Sequence, residues 1–273
     1  MKFKVICSDL DGTLLDNEGK LSDENSQAIK RMTEEGILFV PTTGRTICEL
    51  PSIIKNHGSF RYYIYSNGSA IYDKFQNQKY ETLVTKDDAA AVFDVLKKYD
   101  VFLAFHKDGG CFVDGECFGN ADNYIISEAY KALLSTVTVI PKDFIDFCKN
   151  SGEMEMICAF FGKKENQEKC KAELSKITGI QITSSADGNI EIISAVANKG
   201  NAVKKFLRLV GAELDEAICV GDSTNDVEML NAVDFSLAVG NAKPEVKSAA
   251  SQVICKNTEH IAKYIYENFI QKN

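Results

Sequence analysis

The sequence predicts an α/β protein: a parallel sheet flanked by helices, with a smaller α+β domain inserted into it. Three observations carry this. Short apolar runs alternate with helical patterns at the start of the chain, the same alternation returns after residue 216, and the texture changes between about residue 84 and residue 188. Buried strands alternating with helices mark a parallel sheet, because each parallel crossover needs a helix to bring the chain back.

Phe3 to Ser8 is short, apolar and partly β-branched, and reads as a buried strand. Ser22-Asp23-Glu24 opens a helix whose inner face is Ala28, Ile29 and Met32, and Gly36 follows its end. Ile37 to Val40 is a second strand closed by Pro41. Ile47, Leu50, Ile53 and Ile54 have helical spacing, and Tyr62 to Tyr65 is a third strand that ends at Ser66-Asn67-Gly68. After the insertion, Ala217 to Val220 is a strand, Asp226 to Ala232 a helix and Phe235 to Val239 a strand. Ile261, Ile265 and Phe269 place one face of a final helix. The inserted stretch shows a helix (Val92, Phe93, Leu96), a hairpin-like run from Cys111 to Phe118, a second helix-plus-strand series, and two alternating strands, Gln181-Ile182-Thr183 and Ile190 to Ile193. That pattern predicts a sheet with one open face. The expected domains are therefore 1–83 with 189–273, and 84–188 between them.

The 273 residues are 45% hydrophobic and 26% charged, and 31 Lys and Arg stand against 39 Asp and Glu for a formal net charge of −8. Such a chain can bury a large core, which excludes collagenous, disordered and disulfide-scaffold classes. The acidic balance argues against nucleic acid or an anionic membrane as partner, since both reward clustered Lys and Arg. The apolar stretch at the N-terminus is too short for a signal-peptide core or a membrane span, so a cytoplasmic protein is expected, as a monomer or small homo-oligomer. The nine cysteines include no C-x-x-C spacing and are expected as free thiols, with Cys111 and Cys117 the one pair that stands near in sequence. His57, His106 and His260 lack metal-ligand spacing and read as partly exposed structural residues.

In an open parallel sheet, ligands bind beyond the carboxyl ends of the strands. Those ends carry Asp9-Leu10-Asp11-Gly12-Thr13, Thr42-Thr43-Gly44-Arg45, Ser66-Asn67-Gly68 and Gly221-Asp222-Ser223-Thr224-Asn225-Asp226. Asp9 and Asp11 leave the same face of an extended chain, and Gly12 permits a sharp turn after them. One carboxylate can act as nucleophile and the other as proton donor or acceptor. Asp222 and Asp226 add a second acidic cluster, and carboxylates crowded at one edge repel unless a multivalent cation or a lysine sits among them. Neither cluster holds His or Cys, so the ligand set suits Mg²⁺ and not zinc. No P-loop or dinucleotide fingerprint is present.

D-L-D-G-T-L at 9 to 14, T-G-R at 43 to 45, Lys199-Gly200 and G-D-S-T-N-D at 221 to 226 together resemble the haloacid dehalogenase-like phosphatases, in particular the Cof-type branch with an inserted type IIB cap. The resemblance implies a Rossmann-like core with residues 84–188 as a cap that sets specificity. It implies a Mg²⁺-dependent phosphatase of small phosphomonoesters such as sugar phosphates or pyridoxal phosphate, working through an aspartyl-phosphate on Asp9 with Asp11 as acid and base. Asp9, Asp11 and Asp222 would hold the metal. Leu10, Thr43, Gly44, Lys199 and Asn225 would surround the phosphate, with Asp226 orienting Lys199 or a metal-bound water, and Arg45 and Asn67 facing substrate. A hexose-phosphate mutase of the same superfamily and a phospho-accepting regulatory domain without turnover are the alternatives. Asp11 argues against the latter, since a stable acyl-phosphate switch gains nothing from a neighbouring acid and base.

Overall fold

The computed structural model describes residues 2–184 and 188–271. The chain divides into two compact units: Met1–Gly44, Leu50–Tyr80 and Asn198–Asn273 form the first, and Arg45–Glu49 with Glu81–Ala197 the second. In chain order the strands of the first half are β1 (Val5–Ser8), β2 (Leu38–Pro41), β3 (Tyr62–Tyr65), β4 (Ala70–Asp73), β5 (Gln78–Glu81), β6 (Val101–Lys107) and β7 (Gly110–Val113). They continue as β8 (Thr138–Val139), β9 (Met156–Phe161), β10 (Ile180–Thr183), β11 (Asn189–Ser194), β12 (Ala217–Gly221), β13 (Phe235–Ala238) and β14 (Gln252–Val253).

In the first unit a five-stranded parallel sheet runs in the order β14-β13-β12-β1-β2. β1 is an inner strand, pairing in parallel with β2 (Val5 opposite Leu38) and with β12 (Val5 opposite Ala217). All four β1 residues are buried, which is why the run carries no outward polar alternation. The helix Asp23–Glu34 starts where the sequence places it: Ser22 accepts from the Asn25 amide, and Ala28, Ile29 and Met32 are buried. The buried Asn25 side chain donates to the Leu14 carbonyl and accepts from the Ala262 amide, tying the turn after β1 to the C-terminal helix Ile261–Ile265.

Two expectations for residues 47–73 change. The spacing from Ile47 to Ile54 gives not one helix but a 3-10 turn, Ile47–Glu49, and a short helix, Ser52–Lys55. Pro51 separates them, because it has no amide to donate and excludes the helical conformation just before it. β3 is not a full member of the parallel sheet. It pairs antiparallel with β4 in a three-stranded sheet and meets the parallel one through a single bridge, Thr42 to Ile64. The cause is the turn that follows, where Ser66 (φ 50°), Asn67 (φ 53°) and Gly68 (φ 91°) all have left-handed backbone and reverse the chain straight into β4.

The second unit has a six-stranded sheet, β10-β11-β9-β6-β7-β8, antiparallel except for β7 with β8. Both faces are covered, contrary to the open face expected. Leu103, Phe105, Ile157 and Ala159 join a core with Val92, Phe93 and Leu96, while Phe102, Ala104, Met156 and Cys158 join a second core with Leu134 and Ile126. β9 and the Val101 to Phe105 stretch of β6 are continuously apolar for this reason. The hairpin turns earlier than the sequence suggests, between β6 and β7, where Asp108 (φ 52°) and Gly109 (φ 79°) are left-handed. Asp114 accepts from the Glu116 amide and starts the short helix Gly115–Gly119, so Glu116 to Phe118 are not a strand. All nine cysteines are free thiols. No helix among the described residues is long and apolar enough to cross a membrane.

The helix Lys199–Val210 approaches the turn Val227–Leu230 closely: a Cβ on Gly200 would lie 2.2 Å from the Glu228 carbonyl oxygen. Alanine gains about 1 kcal/mol over glycine in a helix, but forcing apart packed backbone costs about 1–3 kcal/mol. Gly200→Ala is expected to lower the urea unfolding midpoint. A raised midpoint would show that helix propensity outweighs the close approach.

Candidate active site

The carboxyl ends of β1 and β12 are neighbours, so Asp9 and Asp222, which follow them, are brought together from opposite ends of the chain. The Asp9 amide donates to the Val220 carbonyl (3.0 Å) and extends the pairing one residue past β1. The chain then makes one wide turn over Leu10–Leu14, in which the Leu15 amide reaches the Leu10 carbonyl (2.8 Å) across a kink at Asp11 and Gly12. Gly12 has φ 79°, and a Cβ there would lie 2.7 Å from an Asp222 carboxylate oxygen. Both facts require glycine, and both follow from bringing that turn against Asp222. Thr13, buried, donates to Asp222 Oδ1 (2.9 Å), and Ser223 Oγ donates to Oδ2 (3.0 Å).

Lys199 is 1% exposed and its ammonium bridges Asp9 Oδ1 (2.7 Å) and Asp226 Oδ1 (2.6 Å). Asp226 Oδ2 accepts from the Asp222 and Ser223 amides, each at 3.0 Å. Asp226 is thus already occupied on both oxygens and serves to hold Lys199 and the Asp222 loop. Burial alone would pull the lysine down, but the Asp226 and Asp9 carboxylates outweigh it and hold Lys199 above its ordinary value. Burial pushes the Asp9 carboxyl well above the usual carboxylate range; Lys199 opposes the shift, and Asp226, Asp222 and Asp11 add to it. Asp222 is raised by burial and by Asp226, against its bonds from Thr13 and Ser223. Ligand oxygens of Asp9, Asp222 and Asp226 lie within 4.8 Å of one another. With Asp226 taken up by Lys199 and the two amides, the Asp9 and Asp222 carboxylates form an all-oxygen pair, in surplus negative charge, that fits a hard divalent cation. Asp11 is exposed at the kink beside Gly12.

The Thr43 amide bonds to Ile64 O (2.9 Å), and its carbonyl accepts from the Asn67 amide (3.1 Å), so the Thr43-Gly44 segment is clamped to the end of β3. Asn67 is buried and accepts from Asn225 Nδ2 (3.0 Å); a Cβ on Gly44 would lie 3.0 Å from Asn67 Oδ1. Thr43, Gly44, Asn67 and Asn225 therefore form one interlocked group in the first unit. Asn225 Oδ1 is buried with no hydrogen-bond partner. The Leu10 side chain is fully buried, leaving only its main chain for a ligand. Arg45 belongs to the second unit, where its Nη1 donates to the Glu49 carbonyl (3.0 Å). The sequence patterns do not single out Thr13, Ser223 or Asn241, whose Nδ2 donates to Gly12 O (2.7 Å). The hydroxyl directly after Gly12 is the available signal for the first.

The class that this fold and site define is the haloacid dehalogenase-like hydrolases, and the chain belongs to it, with the family match running over residues 6–265. Within that class it is a phosphatase of the Cof type. It is 29% identical to Phosphatase YwpJ of Bacillus subtilis over 94% of this chain and 96% of that one. It is 27% identical to the 5-amino-6-(5-phospho-D-ribitylamino)uracil phosphatase YwtE of the same organism, over 98% of each. A solved haloacid dehalogenase-like hydrolase from B. subtilis superposes with a TM-score of 0.85 at 25% identity, covering 98% of this chain and all of that chain.

Two stability measurements test the charge arrangement. Lys199→Met leaves Asp9 and Asp226 buried without their cation, and is expected to cost about 3–5 kcal/mol in denaturant unfolding; a loss below about 1 kcal/mol would mean the bridge contributes like a surface pair. A carboxyl raised in the folded state gives stability that is present below its unfolded pKa and lost as pH rises through its folded value. Asp222→Asn removes that loss. In metal-free buffer the variant is expected to gain stability over the parent chain as pH rises above about 4, and a constant difference across the range would contradict the sign.

Proposed function

We propose that the chain is a Mg²⁺-dependent phosphatase of small phosphorylated metabolites in which Asp9 is the nucleophile. The observation that carries this is the meeting of Asp9, Asp222 and the Asp226-held Lys199 at the ends of two adjacent strands. Asp9 and Asp222, with Asp11, are the residues that would hold Mg²⁺. Mg²⁺ supplies positive charge against the phosphate dianion and the anionic carboxylate.

Asp9 attacks phosphorus, its new O–P bond forming as the ester O–P bond breaks, and Asp11 gives its proton to the departing oxygen. Asp11, now anionic, takes a proton from the water that attacks the aspartyl-phosphate and restores Asp9. The exposure of Asp11 suits a group that must exchange protons, while the burial of Asp9 suits a nucleophile that must be kept from water. Lys199 offsets charge at the transferring phosphoryl group, and Asp226 holds that ammonium in place. Thr43 Oγ1, the Gly44 amide and Asn225 offer donors to the phosphoryl oxygens, with the Leu10 main chain beside them. Asn67 positions Asn225 and the Gly44 turn. Arg45 is read as a contact to the leaving group. Residues 84–188 act as the specificity-setting cap.

The phosphoribityl pyrimidine named for one relative supports small phosphorylated metabolites as the substrate class; sugar phosphates and pyridoxal phosphate are within it. Nine free thiols support a cytoplasmic location.

Asp9→Asn is expected to abolish phosphate release from a panel of phosphomonoesters, a fall on the order of 10⁴-fold or more, with the far-UV spectrum unchanged. Chelator should silence the parent chain and Mg²⁺ restore it. Turnover that survives either treatment would refute the mechanism.

A further inference from the structure

A second cluster of metal-type ligands lies wholly within the second unit, and the phosphatase chemistry uses none of it. Glu49, His106 and Cys111 are all buried, and each offers a donor atom within 4.8 Å of the others. His106 and Cys111 face each other across the β6–β7 pairing. Glu49 comes from the short turn Ile47–Glu49, which follows the phosphate-binding segment in sequence. His106 Nε2 lies 3.3 Å from Glu49 Oε1, yet it is fully buried and makes no hydrogen bond.

The surroundings are arranged as they are around bound ions, where outer groups fix the orientation of each ligand. Glu49 Oε2 accepts from the Thr46 amide (3.0 Å), and Oε1 from the Tyr130 hydroxyl (2.8 Å). The other ring nitrogen of His106 lies 3.9 Å from Cys158 Sγ. That contact leaves Nε2 as the nitrogen turned to Glu49.

We propose that Glu49, His106 and Cys111 bind one borderline divalent cation, Zn²⁺, in the second unit. One carboxylate, one imidazole and one thiolate are the mixed donors that zinc takes and Mg²⁺ does not. A tetrahedral ion about 2.0–2.3 Å from its donors sets them about 3.3–3.8 Å apart, a spacing that His106 Nε2 and Glu49 Oε1 already have at 3.3 Å. Charge also balances, which matters in a site with no exposed atoms: the two charges of the ion meet one carboxylate and one thiolate, and the imidazole is neutral. As the metal–sulfur bond forms, the Cys111 S–H bond breaks and its proton leaves to solvent. The burial of the site means that the ion enters as the unit folds. This proposal stands independently of the catalytic reading.

The test uses the full chain, free of any tag, produced in zinc-supplemented minimal medium and desalted through chelator. Elemental analysis is expected to find about one zinc per chain, and under about a tenth of that in Cys111→Ser and His106→Gln. Asp222→Asn should keep its zinc, which separates this site from the catalytic carboxylates. Since either cluster variant could fail to fold, the parent chain is also produced in cobalt medium, where a thiolate-to-cobalt absorption band is expected. Absence of both zinc and that band from the parent chain would overturn the proposal and leave Glu49 and His106 as a plain ion pair. Zinc undiminished in folded Cys111→Ser and His106→Gln would overturn it too, by placing the ion elsewhere.

Discussion

The acidic end of the first unit depends on one buried ammonium. Lys199 sits between Asp9 and Asp226, and without it two carboxylates would be held out of water with no countercharge. Its position is set by backbone. Asn198 caps the helix that begins at Lys199, and the left-handed Gly68 packs so closely on the Asn198 carbonyl that a Cβ would lie 2.4 Å from it. Asp226 is fixed in turn by the Asp222 and Ser223 amides. A single charge placement therefore reaches back through a helix start, a strained turn and a loop, and these come from three distant parts of the chain.

The same arrangement leaves Asp9 a buried carboxyl short of positive charge. Its pKa is raised because burial and three neighbouring carboxylates outweigh one lysine. Further positive charge at the site would remove that penalty and, in the proposed mechanism, leave the carboxylate anionic and poorly hydrated, the state in which a nucleophile attacks best. The surplus of acid over base among these side chains is thus a measure of what the site is built to receive.

Much of this is legible in the sequence, because the signals are local. The apolar runs of β1, β2, β12 and β13, the Ser22 cap and the D-L-D-G-T segment each follow from a few adjacent residues. Lys199 is legible only through the family's motif order, since a lone lysine beside glycine says nothing about burial. What escapes depends on partners remote in sequence. The antiparallel attachment of β3 is decided by the left-handed turn after it. The covering of both faces of the second sheet is decided by helices that no strand pattern names. His106 has the sequence surroundings of a partly exposed residue, yet Glu49 and Cys111 enclose it, and nothing near position 106 announces Glu49.

The free cysteines described with the fold bear on how the protein meets oxidants and alkylating reagents. Six of the nine, Cys7, Cys111, Cys148, Cys158, Cys170 and Cys219, are shut inside, and Cys48, Cys117 and Cys255 are half-buried. Burial raises the Cys117 thiol, and burial pushes Cys255 up to about 11. The attacking species is the thiolate, which both of these hardly populate at neutral pH. Of the half-buried thiols, Cys117 and Cys255 are in this way left chemically quiet.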